Sequence, residues 1–302
     1  MPRSTSDAAA GVPVGIDDPG DDRLADYRDL VDTARRWRIE AERSIIVVEG
    51  RLPVRQLLAS GLPVGSLLVD DHQVDSSADL VAAVLARGAP VYVGSREVVA
   101  ATVGFALHRG VVAVAPRPPA DDARARLAAA AGRPSAGGGR PLVAVLEGLN
   151  DHENIGALFR NAAAFGVAAV LLDPSCADPL YRRSIRVSVG HVLHIPFARL
   201  APWPDGLAAV RAAGFTVAAL SPEPAGGPGD GRTRLALGEL ARRPPADGRP
   251  GVALLLGAEG PGLSAGALDA ADTVVSIPMA EGVDSLNVST AAAVAFHRLA
   301  GG

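Results

Sequence analysis

A single cysteine, Cys176, stands in the 302-residue chain, which excludes an internal disulfide and any cysteine-cluster metal site. Aromatic residues are scarce, at 4%, so alanine, valine and leucine must carry the core. No apolar run reaches the roughly 18 residues of a membrane span. The N-terminus, M-P-R-S-T-S-D, lacks the apolar stretch of a secretory signal, and the expected location is cytoplasmic. The C-terminal region has no lysine, hence no P-loop, and its G-A-E-G-P-G departs from the dinucleotide fingerprint G-x-G-x-x-G. There is no G-x-S-x-G elbow, and no His, Asp and Glu set has metal-ligand spacing, so no metal is expected. These gaps weaken the readings of NTPase, dehydrogenase, serine hydrolase and metalloenzyme.

Net charge is −4. Residues 1–22 carry Asp7, Asp17, Asp18, Asp21 and Asp22 against Arg3, so the rest of the chain balances to neutral. A neutral body can still present a local basic patch, and an RNA partner stays compatible with this balance.

In chain order, residues 1–22 have no periodicity and read as a disordered tail. Apolar residues at helical spacing predict an amphipathic helix over Leu24–Glu42. Alternating strands and helices from Ser44 to Ala115 then make a small α/β domain, 23–116 in all, with no catalytic constellation; His108-Arg109-Gly110 reads as a turn. Residues 117–139, rich in Pro, Gly and Ala, read as a linker with room for one short helix.

The second domain, 140–302, opens on an apolar strand, Leu142–Leu146. Asn154 is the expected N-cap of a helix over Ile155–Phe165. Strands are expected at Val167–Leu172, Val192–Ile195 and Phe215–Leu220, and helices at Pro179–Val187 and Asp205–Ala213. The helix over Pro179–Val187 is basic, and its Arg182, Arg183 and Arg186 are candidate contacts to RNA phosphates. Ser221–Pro250 is a Gly/Pro/Arg-rich excursion with a short helix at Leu235–Ala241. The fold class is α/β, with a mostly parallel sheet whose ligands bind beyond the strand C-termini.

The last fifty residues organise the chain. Val252–Leu256 is a buried strand that stops at Gly257, and Glu259 sits among Gly257, Gly260, Pro261, Gly262 and Gly266. A second strand, Thr273–Ile277, leads through a loop to a helix opened by Ser285 and running to about Ala300. Two glycine-bearing loops at two strand ends can wrap a small ligand with backbone groups. Singly, each polar residue here has an ordinary structural role. Arg160 is a solvated helix residue, Asn154 a cap, Glu259 a carboxylate near a helix start, and Ser285 and Asn287 helix-start residues.

Together they form a pattern: N-x-x-x-x-x-R (Asn154, Arg160), G-x-E-x-x-G-L (Gly257, Glu259, Leu263) and I-P-M-x-x-x-x-x-S-L-N-V-S-x-A (Ile277 to Ala291). In this order the three stretches resemble the motifs of SpoU-type RNA ribose 2′-O-methyltransferases, the TrmH-like branch of the SPOUT superfamily. R-V-S-V-G-H-V-L-H-I-P, from Arg186 to Pro196, is similar to the family's segment between the first two motifs. Leu24 to Pro116 more loosely resembles the small ribosomal-protein-like domain that binds substrate in many members.

The resemblance implies a deep trefoil knot in the C-terminal domain that binds S-adenosylmethionine, with Gly257, Ile277 and Leu286 holding it. It implies catalytic roles for Asn154, Arg160, Glu259, Ser285 and Asn287, and a homodimer that shares its active site through the C-terminal domain. An arginine pKa above roughly 12 makes Arg160 an awkward base, and positioning the hydroxyl and its phosphate suits it better. The expected substrate is structured RNA, ribosomal in preference to transfer RNA. A non-catalytic RNA binder of the same fold is the alternative, against which the intact Arg160, Glu259 and Ser285-Leu286-Asn287 set argues. A nucleotide-binding oxidoreductase lacks its fingerprint.

Overall fold

The computed structural model describes residues 11–31, 33–107, 110–222, 234–243, 249–283 and 285–301. The chain divides into two compact units, one of residues 1–119 with 180–193, the other of 120–179 with 194–302.

The first unit holds β1 (Val14–Ile16), α1 (Thr33–Arg43), β2 (Ile45–Glu49), α2 (Arg51–Ala59), β3 (Ser66–Asp70), α3 (Ala78–Leu85), β4 (Val91–Gly94), α4 (Arg96–Val103) and β5 (Val111–Pro116). Its sheet runs β1-β4-β3-β5-β2, with β5 antiparallel to both neighbours. Leu24, Tyr27, Val47, Leu68, Val103 and Val112 meet in its core.

Two expectations are corrected here. Part of the supposed tail is a strand: β1 pairs with β4, and Ile16 is buried. Residues 1–10 lie outside the described residues, as do His108 and Arg109 of the expected turn. The helix expected over Leu24–Glu42 is instead a 3-10 turn, Asp22–Tyr27, followed by α1. Asp21 takes the N-cap of the turn by accepting from the Arg23 N–H, and its side chain pairs with the Arg23 guanidinium.

The second unit begins at residue 120, inside the supposed linker. There α5 (Ala123–Ala131) buries Leu127 and Ala130 in the unit's core, because an alanine-rich helix can lie close against a sheet. Next come β6 (Leu142–Glu147), α6 (His152–Ala164) and β7 (Ala169–Leu172). The chain then departs into the first unit through α7 (Arg182–Val187) and a 3-10 turn, His191–Leu193, and returns at β8 (Phe197–Arg199). Thus 180–193 packs with the first unit, against the sequence expectation. The expected strand over Val192–Ile195 is replaced by that turn, which follows left-handed backbone at Val189 and Gly190.

The remaining elements are α8 (Leu207–Ala212), β9 (Phe215–Leu220), β10 (Arg234–Ala236), α9 (Leu237–Arg242), β11 (Gly251–Gly257), α10 (Ala265–Asp269), β12 (Thr273–Ser276) and α11 (Val288–Leu299). Seven strands form one sheet in the order β10-β12-β9-β11-β6-β7-β8, every pair parallel. The central strands read as unbroken apolar runs, as strands covered on both faces must. The excursion after Ser221 supplies the edge strand β10 and then α9, while 223–233 and 244–248 lie outside the described residues.

Register sets the site. In the β11–β6 pair Gly257 stands opposite Glu147, and in the β12–β9 pair Val275 stands opposite Leu220. The C-terminal ends of four adjacent strands therefore share one sheet edge, where open parallel sheets bind ligands.

Candidate active site

A cleft of about 720 Å³ opens at this edge, a size typical of small-molecule sites. Leu220–Pro222, Leu256–Leu263, Ile277, Met279, Ser285–Val288 and Ala291 line it. It thus takes in the loop after β9, the glycine loop after β11 and the segment from β12 to α11. Glu259 is the one charged residue among them. Among the described residues the cleft offers a cationic ligand a carboxylate and a phosphate-rich nucleotide no cation.

The glycine loop is folded tightly. The Gly262 N–H donates to the Ala258 carbonyl at 3.0 Å. A Cβ at Gly257 would lie 2.4 Å from the Gly262 carbonyl carbon. Gly260 and Gly262 adopt φ of +87° and +69°, which L side chains rarely do.

The N-cap of helix α6 lies three residues before the expected Asn154. Asp151 is the N-cap, accepting from the Glu153 N–H at 2.9 Å. Asp151 lies at the strand-to-helix turn, where its carboxylate can reach an orphan N–H. Asn154 is left in the first turn with its amide free to face α11. Likewise Asn287, rather than Ser285, caps α11: its Oδ1 accepts from the N–H groups of Ser289 and Thr290, at 3.0 and 3.2 Å.

The Asn287 Nδ2 then donates to Asn154 Oδ1 at 2.9 Å and also to Glu259 Oε1, which accepts from the Val288 N–H as well, at 3.4 Å. Three expected residues, one from each stretch of the pattern, thereby join in one network. The Asn161 Nδ2, donating to the Ser289 carbonyl at 2.8 Å, ties α6 to α11 behind it. Ser285 and Leu286 line the cleft, both exposed, and Gly257 and Ile277 form part of its wall.

Arg160 is not brought to this network. It is exposed on α6, six residues beyond Asn154 and so about 9 Å along the axis. It has no hydrogen bond or ion pair with any described residue and lines neither this cleft nor its neighbour.

The three arginines of α7 belong to the first unit. Arg182 is largely buried. It donates to Glu49 Oε2 at 2.6 Å and to the Leu30 carbonyl at 3.0 Å, and its guanidinium lies 5.2 Å from the Phe105 ring centre. Arg182, expected at an RNA phosphate, is thus bonded to groups of its own chain. Arg183 and Arg186 are exposed, and Arg186 Nη1 approaches Glu49 Oε1 at 3.5 Å.

A second cleft, about 560 Å³, shares the Glu259 wall and extends along 147–151. Behind it Asp173 is buried at the end of β7, its Oδ1 accepting from the N–H groups of Gly148, Ser175 and Cys176 and its Oδ2 from the Ser175 hydroxyl. Burial works to raise its pKa, but these hydrogen bonds outweigh burial and hold the carboxyl below its ordinary value. Burial, with the Asp173 carboxylate second, pushes the Cys176 thiol up to about 12, so it is no nucleophile. Among the described residues, Asp70, Asp71 and His72 cluster closely enough for a metal, but Asp70 already faces Arg96 and caps His72. No described helix is long and apolar enough to cross a membrane.

Two known families match successive stretches of the chain. Residues 141–297 match the SpoU rRNA Methylase family, and residues 47–120 match the family described as RNA 2′-O ribose methyltransferase substrate binding. A protein of Mycobacterium tuberculosis, named an uncharacterized tRNA/rRNA methyltransferase, is 42% identical over 301 residues, covering 97% of this chain and 95% of its own. The crystal structure of an AdoMet-bound rRNA methyltransferase from Sinorhizobium meliloti is 23% identical, with a TM-score of 0.73 over 95% of this chain and 97% of that one. That of an RNA 2′-O ribose methyltransferase is 25% identical, with a TM-score of 0.70 over 95% and 98%. With the family pattern covering residues 141–297, just over half of the chain, and a relative matched nearly end to end, the chain belongs to the SpoU rRNA methylase family.

Proposed function

We propose that this protein transfers a methyl group from S-adenosylmethionine to a ribose 2′-hydroxyl of structured RNA, ribosomal RNA in preference to transfer RNA. The observation that carries the reading is the Asn154–Asn287–Glu259 network on the wall of a cleft in which, among the described residues, the one charged lining group is a carboxylate. The cofactor supplies an already electrophilic methyl on a sulfonium, so the protein need only hold and orient. Backbone groups at Gly257, Ile277 and Leu286 hold it, and Glu259 faces its positive charge. Ser285, whose hydroxyl has no partner among the described residues, faces the acceptor ribose. As the carbon–oxygen bond forms and the carbon–sulfur bond breaks, the hydroxyl proton passes to an adjoining phosphate oxygen that Arg160 positions.

Arg160 lies away from the cleft of its own chain, and this supports a homodimer in which it serves the partner's site. The interface runs along α6 and α11, where Val294 is exposed beside the small residues Ala291, Ala292, Ala293 and Ala295. The first unit binds RNA, with Arg183 and Arg186 added to its surface. The C-terminal strands and α11 form the trefoil knot, and the protein works in the cytoplasm.

The test is methylation of total RNA with labelled cofactor, followed by mapping of the modified ribose. Label on a 2′-oxygen of ribosomal RNA supports the reading. Label on transfer RNA corrects the substrate, and label on a base or no label at all refutes the reaction.

A further inference from the structure

Glu147 ends β6 and is buried, yet it belongs to none of the three stretches that define the family pattern. Its carboxylate gathers three donors from two distant segments. The Trp203 Nε1–H and the Ser264 hydroxyl donate to Oε1, each at 2.6 Å, and the Ser264 N–H donates to Oε2 at 2.9 Å. An indole and a backbone amide can only donate, so both oxygens must accept. Ser264 is the residue on which the glycine loop leaves the cleft and enters α10.

Other restraints act on the loop too: the Gly262 N–H donates to the Ala258 carbonyl, and Leu263 packs against the core. Its entrance is fixed by β11 and its apex by the Glu259 contacts with Asn287 and Val288. Between apex and exit stand Gly260, Pro261, Gly262 and Leu263, none with a side chain able to make a polar anchor. The register places Gly257 opposite Glu147, so one residue of β6 faces both the start of the loop and its end.

From this juxtaposition we infer that Glu147 is a positioning residue for the cofactor. It fastens the exit of the Gly257–Ser264 loop to the strand that precedes α6, and so holds the backbone wall of the cleft in its binding shape. It touches neither methyl nor ribose. The inference rests on the cofactor reading above.

The test uses the full-length protein and S-adenosylmethionine in a titration calorimeter. Glu147→Gln keeps the shape of the side chain but turns an amide NH2 against one of the donors. Its dissociation constant should rise about tenfold, the order expected when a charge-assisted buried hydrogen bond is lost. Stoichiometry should stay at the wild-type value. Irreversible unfolding lowers the stoichiometry, and reversible unfolding weakens the apparent affinity in proportion to the unfolded fraction, so a thermal melt beside the titration must show the variant fully folded at the assay temperature. Ser264→Ala should weaken binding alone and add less in the Glu147→Gln background, since both changes cut the same contact. If Glu147→Gln fails to fold, Ser264→Ala alone decides by the same two readouts. Unchanged affinity in the folded variant, or full additivity, overturns the inference. A wild-type protein that binds no S-adenosylmethionine overturns the cofactor reading, and this inference with it.

Discussion

Replacing Gly257 with alanine adds one methyl at the tightest point of the cleft. The new Cβ would stand 2.4 Å from the carbonyl carbon of Gly262, 2.6 Å from its oxygen and 2.6 Å from the Leu263 nitrogen. All three are backbone atoms, so no side-chain rotation relieves the clash, and residues 262–263 must move outward. Overpacking of this kind costs about 1–3 kcal/mol. If the moved segment is the wall that holds the ligand, that range becomes a weakening of about 5- to 150-fold in affinity for S-adenosylmethionine. Gly260→Ala is the control: its Cβ meets nothing within 4 Å, so only the left-handed backbone, φ +87°, opposes it. Left-handed strain costs about 1–2 kcal/mol, and it falls on the loop apex instead of the junction with β11. Calorimetric titration beside a thermal melt separates the outcomes. Gly257→Ala should lose more affinity than Gly260→Ala. A Gly257→Ala protein with wild-type affinity and wild-type melting temperature would refute the steric reasoning.

Arg160→Ala should abolish most methyl transfer and leave cofactor affinity within about twofold, because Arg160 lies outside the cleft; Arg160→Lys should fail too, lacking the planar two-point contact. Loss of cofactor binding with transfer retained would contradict the role. Asp173 is held below its ordinary pKa by hydrogen bonds made in the folded state. Its contribution to stability is therefore fully present above the unfolded carboxyl value, about 3.9, and is lost as pH falls through the lower folded value. Asp173→Asn should cost about 1–3 kcal/mol at neutral pH. The deficit should shrink in acid melts below pH about 4, and a deficit independent of pH would show that packing, not the charge, is at stake.

The central sheet was legible because buried parallel strands are contiguous apolar runs: Leu142–Leu146, Phe215–Leu220 and Val252–Leu256 are found within a residue or so. The short edge strands β1, β8 and β10 carry too few residues for a pattern, and pairing partners far along the chain create them. Val192–Ile195 has strand composition, yet the left-handed pair Val189 and Gly190 turns it into a 3-10 turn. Asn154 lost the cap to Asp151 because two Asx residues three apart compete for one helix start, and local sequence does not rank them. The Asn154–Asn287–Glu259 network was visible only through the order of the motifs. Glu147 was invisible, since its partners lie 56 and 117 residues away and a lone carboxylate at a strand end has no periodicity.

The excursion of 180–193 also bears on how the molecule is made. Tyr181, Ile185 and Val192 are buried, and α7 lies on β2 of the first unit. During synthesis the N-terminal 119 residues thus emerge with part of their own core still untranslated. The first unit cannot close until residue 193 has left the ribosome, and by then β6, α6 and β7 of the second are already exposed. The usual order, one domain finished before the next begins, is unavailable to this chain. A fragment of 140–302 has the opposite defect, since it carries α7, with its buried Ile185, but not the β2 on which that helix lies. Stalled nascent chains ending shortly after residue 119 should accordingly be cut by protease within the first unit, and those extended beyond residue 193 should resist; equal resistance would mean that α7 is dispensable to the fold it completes.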